Sequence, residues 1–212
     1  MKRAIKYFLA RRGLWQTLDL VRQVPELLRW IASGCKGVAP PPLKRRVIEA
    51  YLDSYHLRQF VETGTYLGDT LSCIARRGNV ECTSVELADE YYEAAKKRFP
   101  SNANVTLIQG DSGAVLPIVV SALKESALFW LDGHYSGGNT AQGRADTPVS
   151  SELRAILDSA IKTHVILIDD ARCFDGTHSY PELGTLISAV RETSAYEVEV
   201  SADIIRLTPK HR

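Results

Sequence analysis

Between residues 59 and 193, short apolar runs alternate with helix-like segments, and then the pattern breaks. Two strand-like runs, 196–200 and 204–207, follow one another with only a short turn between them. Alternating strands and helices imply a parallel sheet with helices on both faces. Two strands joined by so short a turn pair only antiparallel. The expected fold is therefore α/β: a doubly wound, mainly parallel seven-stranded sheet closed by a terminal antiparallel hairpin. The parallel strands are expected over 59–63, 80–87, 105–109, 127–131 and 164–168. The helices are expected over 69–77, 89–99, 113–123, 147–160 and 180–193, with a further helix, 43–57, leading into the first strand.

Polar residues stand where each parallel run ends: Glu62, Glu86, Asp111 with Ser112, Asp132, and Asp169 with Asp170. In open α/β sheets this carboxyl edge is where ligands bind. The first of these ends is the most informative. The apolar run closes on Glu62 and Thr63, the turn carries Gly64, Tyr66 and Gly68, and Thr70 lies in the first turn of the next helix. Glycine permits tight turns and close approach of a ligand, a helix N-terminus adds N–H donors and a positive dipole end, and a carboxylate accepts from hydroxyl or ammonium groups. The stretch reads as a nucleotide-type cofactor site. A strand–helix turn that binds nothing would use the same glycines, and both readings stand at this point. Glu86, ending the second strand, is placed to grip two ribose hydroxyls. Ser112 reads equally as an adenine contact or a helix cap.

Asp132, Asp169 and Asp170 fall on neighbouring strand ends if the strand order is the usual one, and only Arg172 is a cation immediately beside them in sequence. Converging carboxylates repel, and a magnesium ion with oxygen ligands would relieve this. Residues 133–146 form a long, polar, glycine-rich connection of the kind that makes lids or substrate contacts. His134, two residues after Asp132, is a candidate general base. Arg144, Arg172 and His178 are candidates to orient an anionic or sugar substrate.

Composition narrows the rest. Hydrophobic residues make up 45% of the 212 and charged ones 24%, enough for a substantial core. A net charge of +1 makes no global case for nucleic acid. The four cysteines, Cys35, Cys73, Cys82 and Cys173, are scattered, so neither structural zinc nor a disulfide framework is expected, and a cytoplasmic location is. No apolar run of about 20 residues exists to span a membrane, and the basic start of the chain lacks a secretory cleavage pattern. Residues 1–37 read as basic, amphipathic helix kinked or split at Pro25, a cap on the main domain or a peripheral membrane or partner contact. An apolar face over 14–31 would favour a homodimer. Pro40, Pro41 and Pro42 read as a stiff linker. The expected division is 1–42, helical extension and linker, and 43–212, the α/β domain.

Over roughly residues 43–209 the chain resembles the class I S-adenosylmethionine-dependent methyltransferases. Glu62, Gly64 and Gly68 match that family's first motif, with Tyr66 in place of the middle glycine, as in the catechol O-methyltransferase type. Glu86 matches the ribose-binding acid, Asp111 and Ser112 the adenine loop, and the final hairpin the family's reversed last strand. The resemblance implies S-adenosylmethionine bound by Glu62, Thr63, Gly64, Tyr66, Gly68, Thr70, Glu86, Asp111, Ser112 and Asp132. Asp132 with the Asp169-Asp170 pair is similar to the metal-dependent O-methyltransferases, most of all the macrocin type. That implies Mg2+ on Asp132, Asp169 and Asp170, with His134 and Asp132 catalytic and a small-molecule or sugar hydroxyl as acceptor. Where the macrocin type has Asp-Gly-Asp, this chain has Asp132-Gly133-His134, and Tyr135 stands where the catechol type places its lysine. A metal-independent methyltransferase, and a silent methyltransferase-like module docking through its N-terminal helices, are the alternatives.

Overall fold

Ala127–Leu131 and Val165–Ile168 contain no charged residue, and every residue in both is buried. Strands this apolar belong where helices cover both faces of a sheet, and they lie at its centre. The computed structural model describes residues 24–100, 103–133, 147–193 and 195–210. The first half runs α1 (Pro41–Ser54), β1 (Gln59–Thr63), α2 (Asp69–Ala75), β2 (Glu81–Glu86), α3 (Asp89–Arg98), β3 (Val105–Gln109) and α4 (Ser112–Ala122). The second runs β4 (Ala127–Leu131), α5 (Val149–Leu157), β5 (Val165–Ile168), a 3-10 turn (Ala171–Cys173), α6 (Leu183–Glu192), β6 (Tyr196–Ser201) and β7 (Ile204–Pro209).

The seven strands form one sheet in the order β3-β2-β1-β4-β5-β7-β6. The first five are parallel, and β7 pairs antiparallel with both β5 and β6. This is the expected architecture, reversed last strand included. Alternation along the strands divides the core in two. Phe129, Leu131, Ile166 and Ile168 face Leu116, Leu153, Ile156, Leu186 and Val190 of α4, α5 and α6. Leu128, Trp130, Val165 and Leu167 face Ile48, Leu52, Leu71 and Ile74 of α1 and α2.

Several boundaries differ from expectation for identifiable reasons. Pro41 and Pro42 open α1 rather than forming a linker, and Ala39 and Pro40 are already buried. Proline suits a helix's first turn, where its missing N–H would have no partner. The helix expected over 147–160 ends at Leu157, because Ser159 leaves the helical path: its Oγ receives the Ile161 N–H at 3.1 Å and lies 3.1 Å from His164 Nε2. His164, expected to open β5, instead bridges to β4 by accepting the Ala127 N–H on Nδ1 at 3.1 Å. Burial pushes its pKa down to about 4, so the ring is neutral and Nε2–H is free to donate to Ser159.

Residues 24–32 are helical, with Pro25 in the first described turn and Val24, Leu28 and Ile31 exposed. The chain before Val24, which would form the other side of the kink expected at Pro25 and carries most of the basic segment, lies outside the described residues. No helix among the described residues is long and apolar enough to cross a membrane.

α1 is held to the sheet by Ile48 and Leu52, which share its inward stripe. Replacing Ile48 by Ala is expected to lower stability by about 2–5 kcal/mol in equilibrium denaturant unfolding, in one cooperative transition. A separate early transition would show that α1 is an independent appendage.

Candidate functional site

One hydrogen bond beyond each of four parallel strands sets the strand exits along a single edge. Gly110 N–H donates to the Glu86 carbonyl (2.9 Å), Gly64 N–H to Val85 (2.9 Å), Asp132 N–H to Thr63 (3.2 Å) and Asp169 N–H to Leu131 (3.0 Å). The residues after β3, β1, β4 and β5 are thereby set against their neighbouring strands.

At the β1–β2 end, Glu86 is 7% exposed and both its oxygens are held. Oε2 accepts the Tyr66 N–H and Oε1 the Ala88 N–H, each at 2.8 Å. Tyr66 takes a left-handed conformation (φ 48°) to make this bond, and its ring is 43% exposed, edge-on to Tyr91 at 4.8 Å. Glu62 points inward instead. Ser84 Oγ donates to its Oε2 at 2.8 Å, and Thr65 Oγ1 lies 2.6 Å from Ser84 Oγ. Because Ser84 spends its one proton on Glu62, Thr65 donates to Ser84. Burial pushes the Glu62 carboxyl up to about 8, more than Ser84 can offset.

The two loop glycines serve the protein's own packing. A Cβ on Gly64 (φ +83°) would lie 2.4 Å from the Asp132 carbonyl oxygen, and one on Gly68 (φ +71°) 2.9 Å from the Phe99 ring. Arg98 closes the loop, donating to Asp69 Oδ1 at 2.8 Å and to the Leu67 carbonyl. Thr70 sits half-buried in the first turn of α2.

After β3, Asp111 is the cap of α4, its Oδ1 accepting the Gly113 N–H at 3.0 Å. Ser112 and Thr63 are buried, and both hydroxyls face Glu152 of α5, where they favour its ionised form. Three oxygens, Ser112 Oγ (3.2 Å), Thr63 Oγ1 (3.2 Å) and Glu152 Oε1 (3.3 Å), surround the point where a Cβ of Gly133 would be. Glu152 is 1% exposed, its Oε1 has no hydrogen-bond partner, and burial pushes its carboxyl up to about 7.

At the β4–β5 end Asp132, Asp169 and Asp170 do come to adjacent strand ends, but the cation there is one that sequence proximity does not show. Lys44 of α1 places Nζ 2.6 Å from Asp169 Oδ2 and 3.3 Å from Asp170 Oδ1. Asp169 Oδ1 accepts the Asp170 N–H at 2.8 Å, so both its oxygens are engaged. Arg172 donates through Nη1 to Asp170 Oδ1 at 2.8 Å and also to Asp203, which anchors it beside the β5 acids. Asp170 adopts φ 58° to make these contacts. Among the described residues no three His, Cys, Asp or Glu side chains converge as a metal cage. The donor set does not fit a resident divalent ion, because an ammonium stands between the two aspartates that would ligate it. His134, Tyr135 and Arg144 lie outside the described residues. His178 is described, near Asp175 in the turn before α6, at φ 50°.

Ser84, Lys44 and Glu152 are the site residues that sequence reading misses. Glu152 had a signal: it shares the apolar stripe of Val149, Leu153 and Ile156, where a charged residue is out of place. Lys44 had none, being 125 positions from Asp169.

No family profile matches the chain, and no curated protein matches it at significant similarity. Solved structures do match in fold. An O-methyltransferase from Bacillus cereus in complex with S-adenosylhomocysteine superposes with a TM-score of 0.58 at 15% identity, over 89% of this chain and 91% of that one. A Podospora anserina methyltransferase, also bound to S-adenosylhomocysteine, gives 0.58 at 16% identity over 80% and 79%. The O-methyltransferase of tomaymycin synthesis from Streptomyces achromogenes gives 0.53 at 14% over 83% and 82%. The chain has the fold of these methyltransferases.

Two outcomes follow from the geometry. Gly64→Ala combines a strained φ with a backbone collision and is expected to cost roughly 2–4 kcal/mol, read as a lowered melting temperature. Glu62 and Glu152 have folded pKa values above the ordinary 4.5. Their protons are therefore held more tightly in the folded state, and stability is lost as pH rises from about 4.5 toward 8. Glu62→Gln should flatten that loss by roughly 2–4 kcal/mol; an unchanged pH profile would show that Glu62 ionises normally.

Proposed function

We propose that the chain is an S-adenosylmethionine-dependent methyltransferase acting on a hydroxyl of a small-molecule or sugar acceptor. The observation that carries this is Glu86, whose two oxygens are each anchored by one backbone N–H at the carboxyl end of β2. A carboxylate oxygen accepts about two hydrogen bonds, so each retains capacity for one of the two neighbouring hydroxyls of a ribose. The half-exposed Tyr66 ring beside it offers an aromatic face. The two S-adenosylhomocysteine-bound structures of the same fold support the choice of cofactor, and the two similar structures that are O-methyltransferases support the choice of a hydroxyl acceptor.

S-adenosylmethionine, when bound, supplies a methyl group on a sulfonium centre. The protein's contribution is to hold that methyl in line with the acceptor oxygen, chiefly a matter of positioning. Glu86 fixes the ribose end. Asp132, at the exit of β4, stands between the cofactor edge and the β5 acids, where the acceptor must lie. On sequence grounds, His134 takes the acceptor's one proton, with Asp132 beside it. Asp169 and Asp170, two of the three acids that would ligate a metal, are held by Lys44 instead. Residues 1–37 are proposed as a contact for a membrane or a second copy of the chain, and among their described residues Val24, Leu28 and Ile31 are apolar and exposed.

Calorimetric titration with S-adenosylhomocysteine tests the reading. Saturable binding is expected, weakened about tenfold to a hundredfold in Glu86→Ala, as loss of charged hydrogen bonds predicts. No binding by folded protein would overturn it.

A further inference from the structure

α1 stands outside the alternating core pattern, yet it delivers a charged group to the centre of the acid edge. Lys44, Ile48 and Leu52 are spaced four apart and so share one stripe of the helix. Ile48 and Leu52 are 0% and 1% exposed, packed on the sheet face. Lys44, one turn nearer the helix start, is carried past the end of the sheet. Its side chain is 14% exposed, and its ammonium lies between Asp169 Oδ2 and Asp170 Oδ1. Asp132 and both β5 aspartates favour its charged form.

We infer that Lys44 is the resident cation of this edge, held where a divalent ion would otherwise bridge the acids. The inference rests on the methyltransferase reading for what the edge is used for, but not for which cation it holds. Magnesium demands near-octahedral oxygen coordination at short range and gives up its waters reluctantly. To bind here it would have to displace Lys44 from Asp169 Oδ2, while Asp169 Oδ1 stays with the Asp170 N–H. It would also bring two positive charges close to an ammonium and to the Arg172 guanidinium on Asp170. Lys44 meets the same electrostatic need without a metal. An ammonium has three donors; Asp169 and Asp170 take two, and the third serves an oxygen of the bound acceptor. Lys44 is a positioning residue in this account, and the acceptor's proton leaves to a protein base.

The test uses the full chain and Mn2+ as the probe, with free ion followed by electron paramagnetic resonance. Wild-type protein is expected to show no saturable Mn2+ site, and its S-adenosylhomocysteine affinity to be the same with and without EDTA. Lys44→Ala is expected to gain a saturable site, with affinity improved at least about tenfold, and adding Asp169→Asn should abolish it. Lys44→Gln, which keeps the length and removes the charge, serves if the alanine variant fails to fold. Saturable Mn2+ binding by wild type that disappears in Asp169→Asn would overturn the inference, as would a folded Lys44 variant that gains no site. Absence of S-adenosylhomocysteine binding would count against the cofactor reading and leave the Mn2+ result standing.

Discussion

The close contact between the exits of β1 and β4 organises the molecule's carboxyl edge. The Thr63 carbonyl accepts the Asp132 N–H, and the next residue, Gly64, leaves no Cβ to collide with the Asp132 carbonyl. Because those two strands pair in parallel, the contact fixes both the turn that leads to Tyr66 and the start of the segment that follows Asp132. Tyr66 in turn fastens Glu86, and Asp132 is set beside the β5 acids. Gly64 is thus explained by the protein's own backbone rather than by the approach of a ligand. The glycine loop remains a signature of the fold, but the stronger evidence for a cofactor passes to Glu86.

Electrostatics along that edge divides the acids by environment. Glu86 is buried but carries two backbone donors. Glu62 and Glu152 are buried with hydroxyl partners only, and burial dominates, raising both. Asp169 and Asp170 are buried beside Lys44 and Arg172. An unpaired buried charge is costly, so each acid is stabilised by a proton, a backbone donor or a cation; even beside Lys44, burial and the Asp132 charge push the Asp169 carboxyl up. Glu152 is the exception that stays incomplete: its Oε1, beside Gly133, has no partner.

The architecture was legible in advance. β1, β3 and β4 fall on the residues expected from the apolar runs, and the closing hairpin follows from the missing helix between 200 and 204. Helix ends were less legible, because they depend on side-chain bonds such as those of Ser159 and His164 that periodicity does not register. In the site, Glu86, Asp132, Asp169 and Asp170 reach the edge as anticipated. Thr63 and Ser112 are instead turned inward to Glu152, and Asp111 is a helix cap.

What the sequence determined by itself is therefore the alternation of elements, the reversed last strand, and the placing of one acid or more at each parallel strand end. These are consequences of short-range periodicity and of turns too short to permit any other connection. The tertiary structure alone decided what neutralises those acids. Lys44 reaches Asp169 only because α1 packs across the sheet, and Glu62 and Glu86, both buried, differ in the donors that face them. Charge partners and desolvation are properties of neighbours in space, and those neighbours are far apart along the chain.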